Sequence, residues 1–222
     1  MKEKLRIGII DDDQSKITQI ITRLMEGVKH SSPEKQDKYS KFEFIPIEIE
    51  IKEDINEMLN NVVEHNLDCV IVDYKLSSYT VANYTGIEFA QTLEERVYDF
   101  PIFVLTSYED DLFSNEIYNA YQVFDFERYL NEVCERTELH FKIIEQILKF
   151  QKQREKWKKE LKSLLPLAGK TEEIDSRLLE LDTKLERSIN GTCAIPNKLK
   201  KDLDSNKVIE LLDKIDLILE RD

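Results

Sequence analysis

The stretch LRIGIIDDD, residues 5–13, joins a mostly apolar run to three consecutive aspartates. Residues 5–10 have the composition of a central parallel strand, which is buried on both faces and is therefore apolar along its length. Carboxylates that follow such a strand directly stand at its carboxyl end, where open α/β sheets bind their ligands. The stretch therefore predicts a strand in the middle of a sheet and a site at the end of that strand.

Apolar runs and helical periods alternate along the rest of the N-terminal part. Strands are predicted at residues 5–10, 41–51, 68–73, 101–106 and 122–126, and helices at 15–27, 54–65, 86–96 and 110–121. This alternation predicts a doubly wound, five-stranded parallel sheet with helices on both faces. Pro46 favours an edge position for the second strand, because proline cannot donate to a β-ladder. The polar residues 28–40 are expected to form a surface loop.

From about residue 130 the pattern becomes helical throughout. Apolar side chains at heptad-like spacing predict a long helix that packs against another helix or a second chain. They are Ile143, Ile147, Phe150, Trp157, Leu161 and Leu164. Further apolar stripes predict helices over 171–189 and 206–220. We therefore expect a domain at residues 1–138, followed at 139–222 by a coiled-coil-like or bundle segment for dimerisation or partner binding.

The charge distribution disfavours nucleic acid as a partner. The 222 residues carry a net charge of −13. Residues 1–150 hold 16 Lys and Arg against 30 Asp and Glu, a net charge of −14, whereas residues 151–222 come to +1. An acidic body repels phosphates, and the C-terminal part lacks the basic excess of a dedicated DNA-binding domain.

Other features of the composition point to a cytoplasmic protein. No apolar stretch is long enough for a transmembrane helix, and the first apolar run is too short for a signal peptide. The three cysteines are scattered along the chain, which favours reduced thiols over disulfides or a metal site. The histidines His30, His65 and His140 show no metal-ligand spacing and are expected at the surface.

Polar side chains also follow two other predicted strands. Asp73 ends the strand at 68–73, and Thr106 ends the one at 101–106. Since the first and third strands of a doubly wound sheet are neighbours, we expect Asp73 to meet Asp11 and Asp12. Carboxylates crowded together need a cation, and Mg²⁺ suits such oxygen ligands. A carboxylate there could attack a phosphoryl group and form an acyl phosphate, with a hydroxyl group as a hydrogen-bond donor. Asp13 is expected to cap the helix that follows.

Residues 5–130 resemble the receiver domain of bacterial two-component response regulators. The matching stretches are IGIIDDDQSKITQI, DCVIVDYKL with Gly86 downstream, and PIFVLTS. The resemblance implies a flavodoxin-like fold. It also implies Mg²⁺-dependent autophosphorylation, with the phosphoryl group coming from a histidine kinase or a phosphotransfer protein.

The resemblance also implies a role for each matching residue. Asp11 and Asp12 match the acidic pair that holds the metal, with Asp12 as the direct ligand. Asp73 matches the phosphoacceptor and also binds the metal. Lys75 would contribute its backbone carbonyl to the metal, and Thr106 matches the hydroxyl that turns toward the phosphoryl group.

One departure from the family concerns the end of the fifth strand. The family has a Lys there, usually followed by Pro, which contacts the phosphoryl oxygens, whereas residues 123–130 read VFDFERYL. Alignment from Ala120 puts Phe126 at the Lys position, and alignment from Thr106 puts Arg128 nearer to it. Arg128 is therefore a candidate substitute for the Lys, with a solvated arginine at a helix start as the alternative.

Three functions remain open on the sequence alone. The favoured hypothesis is a response regulator phosphorylated on Asp73, whose C-terminal helices bind an unknown downstream protein or form a homodimer. No enzyme activity is expected beyond Mg²⁺-dependent autophosphorylation and autodephosphorylation. The second hypothesis is an adaptor pseudo-receiver that is never phosphorylated. The third is a phosphatase of the haloacid-dehalogenase type, which expects DxDx[TV] where this chain has DDDQS.

Overall fold

The computed structural model describes residues 2–76, 82–107 and 122–190, apart from the side chains of residues 189 and 190. Residues 1–153 and 154–222 form two compact units. The helices predicted at 110–121 and 206–220 lie outside the described residues.

The first unit is built on one parallel sheet. Its strands are β1 (Glu3–Ile10), β2 (Phe42–Glu48), β3 (Cys69–Val72), β4 (Ile102–Thr106) and β5 (Val123–Asp125). They lie in the order β2-β1-β3-β4-β5, and every neighbouring pair is parallel. This is the order of flavodoxin-like folds. The predicted doubly wound sheet and flavodoxin-like receiver fold are thereby confirmed.

The burial of each strand follows from its sequence and its place in the sheet. Every residue of β3 and β4 is buried, because these central strands are covered on both faces. In β2, exposed and buried residues are mixed, as expected of an edge strand. The edge position predicted from Pro46 is confirmed by the strand order.

Among the described residues, six helices lie wholly or partly in the first unit, and the last of them continues into the second. They are α1 (Gln14–Glu26), α2 (Pro33–Tyr39), α3 (Ile55–Glu64), α4 (Gly86–Arg96), α5 (Phe126–Asn131) and α6 (Val133–Leu164). The predicted cap of α1 is confirmed, since the Asp13 carboxylate accepts hydrogen bonds from the amides of Ser15 and Lys16. The loop predicted at 28–40 is wrong over α2. Pro33 begins this helix, where a missing N–H group has no cost.

Alternate side chains of the strands feed two hydrophobic cores. On one face Ile7 and Ile9 of β1 pack with α1 and with the first half of α6, which contributes Leu139, Ile143, Ile144 and Ile147. On the other face Ile10, Val70 and Val72 pack with α3 and α4 through Met58, Leu59, Phe89 and Leu93. The period-2 geometry of the strands sends these neighbouring residues to opposite faces.

The expectation that His140 lies at the surface is wrong. His140 is completely buried on α6, where its Nδ1 lies 2.7 Å from the Gly27 carbonyl and its Nε2 lies 3.3 Å from the Tyr129 hydroxyl. Burial lowers the pKa of His140 to about 4, although the bond to Gly27 opposes this shift. The histidine is therefore a neutral, hydrogen-bonded member of the core, and its apolar neighbours Leu139 and Phe141 share that burial.

The second unit contains the last turns of α6 and a helix α7 (Glu172–Asn190), which confirms the helix predicted at 171–189. Between them lie a short 3-10 turn at Leu165–Leu167 and Gly169, whose φ of 79° favours glycine. Arg177 of α7 pairs with Glu160 of α6 at 2.7 Å, and the Lys184 ammonium lies 5.9 Å from the ring centroid of the buried Trp157. α7 thus folds back along α6 as a helical hairpin.

The domain boundary predicted after residue 138 falls inside α6. This helix is continuous from Val133 to Leu164, and the two compact units divide between Gln153 and Arg154. The reason is that α6 contributes buried side chains to the first unit beyond residue 138, down to Ile147 and Phe150. The heptad-like stripe is therefore shared, with its first part in the receiver-like core and Trp157 in the second unit.

Candidate functional site

The candidate site lies at the carboxyl ends of three adjacent strands. Asp11 directly follows β1, Asp73 directly follows β3, and Thr106 is the last residue of β4. The strand order turns back between β1 and β3, and ligands bind at such a switch point in open α/β sheets. The sheet therefore brings together three side chains that are far apart in the sequence.

Three carboxylates converge at this point. One oxygen from each of Asp11, Asp12 and Asp73 lies within 4.8 Å of the others. Asp11 is 4% exposed and Asp73 is 3% exposed, whereas Asp12 is half-buried. The structure thus brings together the three side chains that the sequence predicted as metal ligands.

The carboxylate of Asp11 is only partly satisfied by hydrogen bonds. Its Oδ1 accepts a hydrogen bond from the Asp13 amide at 2.8 Å, whereas its buried Oδ2 has no hydrogen-bond partner among the described residues. Burial raises the pKa of Asp11 to about 7; the Asp13 amide opposes this shift, and the negative charge of Asp73 adds to it. A buried oxygen in this position is a ready ligand for a cation.

Asp73 is held by contacts on both carboxylate oxygens. Its Oδ1 accepts a hydrogen bond from the backbone amide of Tyr74 at 2.8 Å, and its Oδ2 lies 3.1 Å from the Lys16 ammonium. The Thr106 hydroxyl also donates a hydrogen bond to Asp73. Burial nevertheless raises the pKa of Asp73, and these three donors, Lys16 foremost, offset only part of that effect.

Lys16 is the site residue that sequence reasoning missed. It is the third residue of α1, and its ammonium also lies 5.3 Å from the ring centroid of Phe126. Burial lowers the pKa of Lys16, but Asp73 and Asp11 outweigh that effect and hold the pKa above its ordinary value. The available signal was its spacing, since a residue three positions beyond the cap Asp13 lies on the first turn of a helix that begins at the site.

The structure places Arg128 away from these contacts. Its guanidinium forms ion pairs with Glu135, and with Glu132 at 3.6 Å, and its side chain is half-exposed. Phe126, the alternative residue at the missing lysine's position, is buried at the end of β5. The cation that reaches Asp73 comes from α1 instead.

The chain segment after Asp73 returns to pack against it. Gly86, at the start of α4, donates its amide to the Tyr74 carbonyl at 2.8 Å. A Cβ atom at Gly86 would lie 1.9 Å from the Asp73 carbonyl oxygen, so only glycine allows this approach. The metal-binding role of the Lys75 carbonyl stays a prediction.

The donor set fits a hard divalent cation. Three carboxylates with an unpartnered buried oxygen offer the oxygen ligands that Mg²⁺ prefers. Such an ion would also offset the burial and the negative charge of Asp73, which together raise the pKa of Asp11. The residues present thus suit Mg²⁺, and Asp11, Asp12 and Asp73 would be its carboxylate ligands.

No family model matches this sequence, and no curated protein sequence matches it. Among solved structures, the chain is similar to the anti-anti-sigma factor PhyR from Bartonella quintana, with 13% sequence identity and a TM-score of 0.42 over 70% of this chain and 52% of that chain. It is also similar to the two-component response regulator RcsB in its DNA complex, with 13% identity and a TM-score of 0.40 over 87% of this chain and 100% of that chain. The chain therefore spans about half the length of PhyR.

The fold assignment rests on the strand order and on the position of the carboxylates. Within the part of the chain that the structure describes, no helix has both the length and the apolar character needed to cross a membrane.

The pKa of Asp11 predicts how the stability of the metal-free protein changes with pH. Between pH 3.8 and about 7 the unfolded chain loses the Asp11 proton while the folded chain keeps it. The free energy of unfolding should therefore fall as pH rises through this range. Asp11→Asn should remove this contribution and stabilise the metal-free protein by about 2–4 kcal/mol above pH 7.

Urea unfolding of both proteins across this pH range, in the presence of a chelator, measures the difference. The comparison must be between the two variants, because the depressed pKa of His140 acts in the opposite direction in both. A constant difference between wild type and Asp11→Asn at every pH would show that Asp11 does not titrate as described.

Proposed function

We propose that this protein is a signalling receiver that accepts a phosphoryl group on Asp73 with the help of Mg²⁺. The observation that carries the proposal is the surroundings of Asp73. This buried carboxylate lies beside two further carboxylates and accepts a hydrogen bond from the hydroxyl of Thr106. A carboxylate nucleophile, ligands for a hard cation and a hydroxyl donor are the groups that phosphoryl transfer to an aspartate requires.

The reaction itself needs little from the protein beyond position and charge. A carboxylate oxygen of Asp73 attacks the phosphorus atom of the donor, a P–O bond forms, and the bond from phosphorus to the donor's leaving group breaks. The leaving group departs with the electron pair, and Asp73 becomes an acyl phosphate. Bound Mg²⁺, held by Asp11, Asp12, Asp73 and the Lys75 carbonyl, would supply positive charge at the transferring oxygens. The Thr106 hydroxyl, which donates a hydrogen bond to Asp73 before transfer, would turn toward those oxygens.

The proposed donor is a histidine kinase or a phosphotransfer protein. Loss of the phosphoryl group to water would return the receiver to its resting state. This makes the protein a response regulator in function, with catalysis limited to its own phosphorylation and dephosphorylation.

The proposed output is protein–protein interaction through the C-terminal helices. α6 contributes to the core of the first unit and continues into the second, where α7 packs back on it. A change around Thr106 could therefore reach the second unit through a continuous helix. The acidic charge of residues 1–150 favours a protein over nucleic acid as the partner. A homodimer through the same helices is one form that this output could take.

A second candidate function is a pseudo-receiver that binds its partner without phosphorylation. The observation in its favour is that no cation from the segment after β5 contacts Asp73 among the described residues. Phe126 is buried there, and Arg128 forms ion pairs with Glu132 and Glu135. In this case the ion pair between Lys16 and Asp73 would be permanent. Phosphorylation by a small-molecule donor separates the two candidates.

Acetyl phosphate or phosphoramidate with Mg²⁺ should add one phosphoryl group to the full chain, at Asp73. Intact-mass spectrometry gives the number of groups added, and peptide mapping gives the site. Asp73→Asn should abolish the adduct, and the adduct should be lost in acid and base as an acyl phosphate is. Asp37→Asn, at an exposed position on α2, is the matched control and should be labelled like wild type.

Absence of any adduct in the wild type would favour the pseudo-receiver. Full labelling of Asp73→Asn would place the nucleophile elsewhere.

Trp157 reports on whether the second unit responds to the site. It is the chain's single tryptophan and lies in the second unit. Beryllofluoride with Mg²⁺ mimics the acyl phosphate, so adding it should change Trp157 emission if α6 couples the two units. Light scattering on the same samples shows whether the change accompanies dimerisation. An emission spectrum and a mass that both stay constant, while beryllofluoride demonstrably binds, would remove the C-terminal helices as the output.

A further inference from the structure

The ion pair between Lys16 and Asp73 is the contact at the site that no sequence motif predicted. The Lys16 ammonium lies 3.1 Å from Asp73 Oδ2, and the two side chains are 18% and 2% exposed. Because this ion pair is largely buried, salt and water screen it only weakly. Lys16 therefore places a weakly screened positive charge next to the Asp73 carboxylate.

The position of the Lys16 ammonium is fixed from two directions. The Asp13 carboxylate caps α1 and accepts hydrogen bonds from the amides of Ser15 and Lys16, which sets the first turn of the helix at the site. The Lys16 ammonium also lies over the ring of Phe126, at 5.3 Å from the ring centroid. A cation over an aromatic face gains about 0.5–2 kcal/mol. Both contacts hold the ammonium over the carboxylate.

Phosphorylation would change what this ammonium faces. An acyl phosphate replaces the single negative charge of Asp73 by the larger charge of the phosphoryl oxygens, which extend outward from the same carboxylate. An ammonium group has three donors and can turn from one oxygen to another without moving its helix. Before transfer, the Lys16 ammonium already lies within hydrogen-bond distance of the Asp73 carboxylate that would bind the phosphorus.

We infer that Lys16 is the phosphoryl-binding cation of this protein: its ammonium pairs with Asp73 in the resting state and binds the phosphoryl oxygens after transfer. This inference rests on the proposed function and adds to it the residue that stabilises the charge. α1 then supplies the cation, while Phe126, directly after β5, supplies an aromatic ring whose centroid lies 5.3 Å from the ammonium. Lys16 stays protonated throughout and forms no covalent bond.

The inference has two consequences of opposite sign. In the resting state the ammonium competes with Mg²⁺ for the charge of Asp73, so its removal should strengthen metal binding. During transfer the same ammonium stabilises the developing charge on the phosphoryl oxygens, so its removal should slow phosphorylation. A purely structural lysine would not produce this pair of effects, because damage to the site weakens both metal binding and phosphorylation.

Lysine variants of the full chain test the inference. Lys16→Met keeps the apolar stem and removes the charge, Lys16→Gln is a second neutral variant of similar length, and Lys16→Arg keeps the charge. Lys142→Met is the matched control, since Lys142 also lies over an aromatic ring, at 4.8 Å from the Phe124 centroid, on α6. Calorimetry gives the Mg²⁺ affinity of each unphosphorylated protein, and mass spectrometry gives the rate of labelling by acetyl phosphate at saturating Mg²⁺.

In Lys16→Met and Lys16→Gln we expect Mg²⁺ to bind roughly five- to tenfold more tightly. Labelling of Asp73 should slow by about 10- to 100-fold. Lys16→Arg should restore most of the labelling rate, and Lys142→Met should match wild type in both measurements.

Two results would overturn the inference while leaving the proposed function intact. One is a labelled wild type whose neutral Lys16 variants are labelled at the same rate. The other is a joint loss of metal affinity and labelling in folded variants. A wild type that accepts no phosphoryl group at all would overturn the proposed function and, with it, this inference.

Discussion

The main constraint on this structure is the burial of several carboxylates together at one edge of a parallel sheet. Asp11 and Asp73 are almost completely buried, Asp12 lies beside them, and one oxygen of each falls within 4.8 Å of the others. Like charges at this distance in a poorly solvated place cost free energy unless protons or cations compensate them. Burial raises the pKa of both Asp11 and Asp73, and at Asp11 the negative charge of Asp73 adds to this effect. Such an arrangement weakens the metal-free fold, which is typical of a site kept for function.

The fold both creates this crowding and moderates it. Placing β1 beside β3 brings Asp11 to Asp73, and Gly86 allows the chain to return closely over the Asp73 backbone. The Asp13 amide, the Thr106 hydroxyl and the Lys16 ammonium reduce the cost of this crowding, from the start of α1 and from the end of β4. One oxygen of Asp11 still has no hydrogen-bond partner among the described residues. A divalent cation would complete the set.

Sequence patterns sufficed where local rules and topology agree. The apolar runs identified the strands, and their alternation with helices predicted a doubly wound sheet whose first and third strands are neighbours. The strand order confirms this and places Asp11 beside Asp73. The role of Lys16 was not predicted from the sequence. It depends on how the first turn of α1 faces β3, which residue spacing alone does not determine. The burial of His140 was not predicted, because the sequence does not show its hydrogen-bond partners. The Gly27 carbonyl is 113 residues away along the chain, and no sequence pattern pairs His140 with the Tyr129 hydroxyl. The boundary at residue 138 was placed by a change of pattern, whereas the helix itself runs on through the core.

The most direct test of this carboxylate site is a titration of the unphosphorylated protein with Mg²⁺, followed by NMR at the backbone amide of Tyr74. This amide donates to Asp73 Oδ1 at 2.8 Å and so senses any ion bound by that carboxylate. If the carboxylates form a metal site, the Tyr74 signal should shift and saturate in wild type, and the response should be lost or strongly weakened in Asp12→Ala. An equal response in wild type and Asp12→Ala, or no response in either, would contradict the assignment of these carboxylates as a metal site.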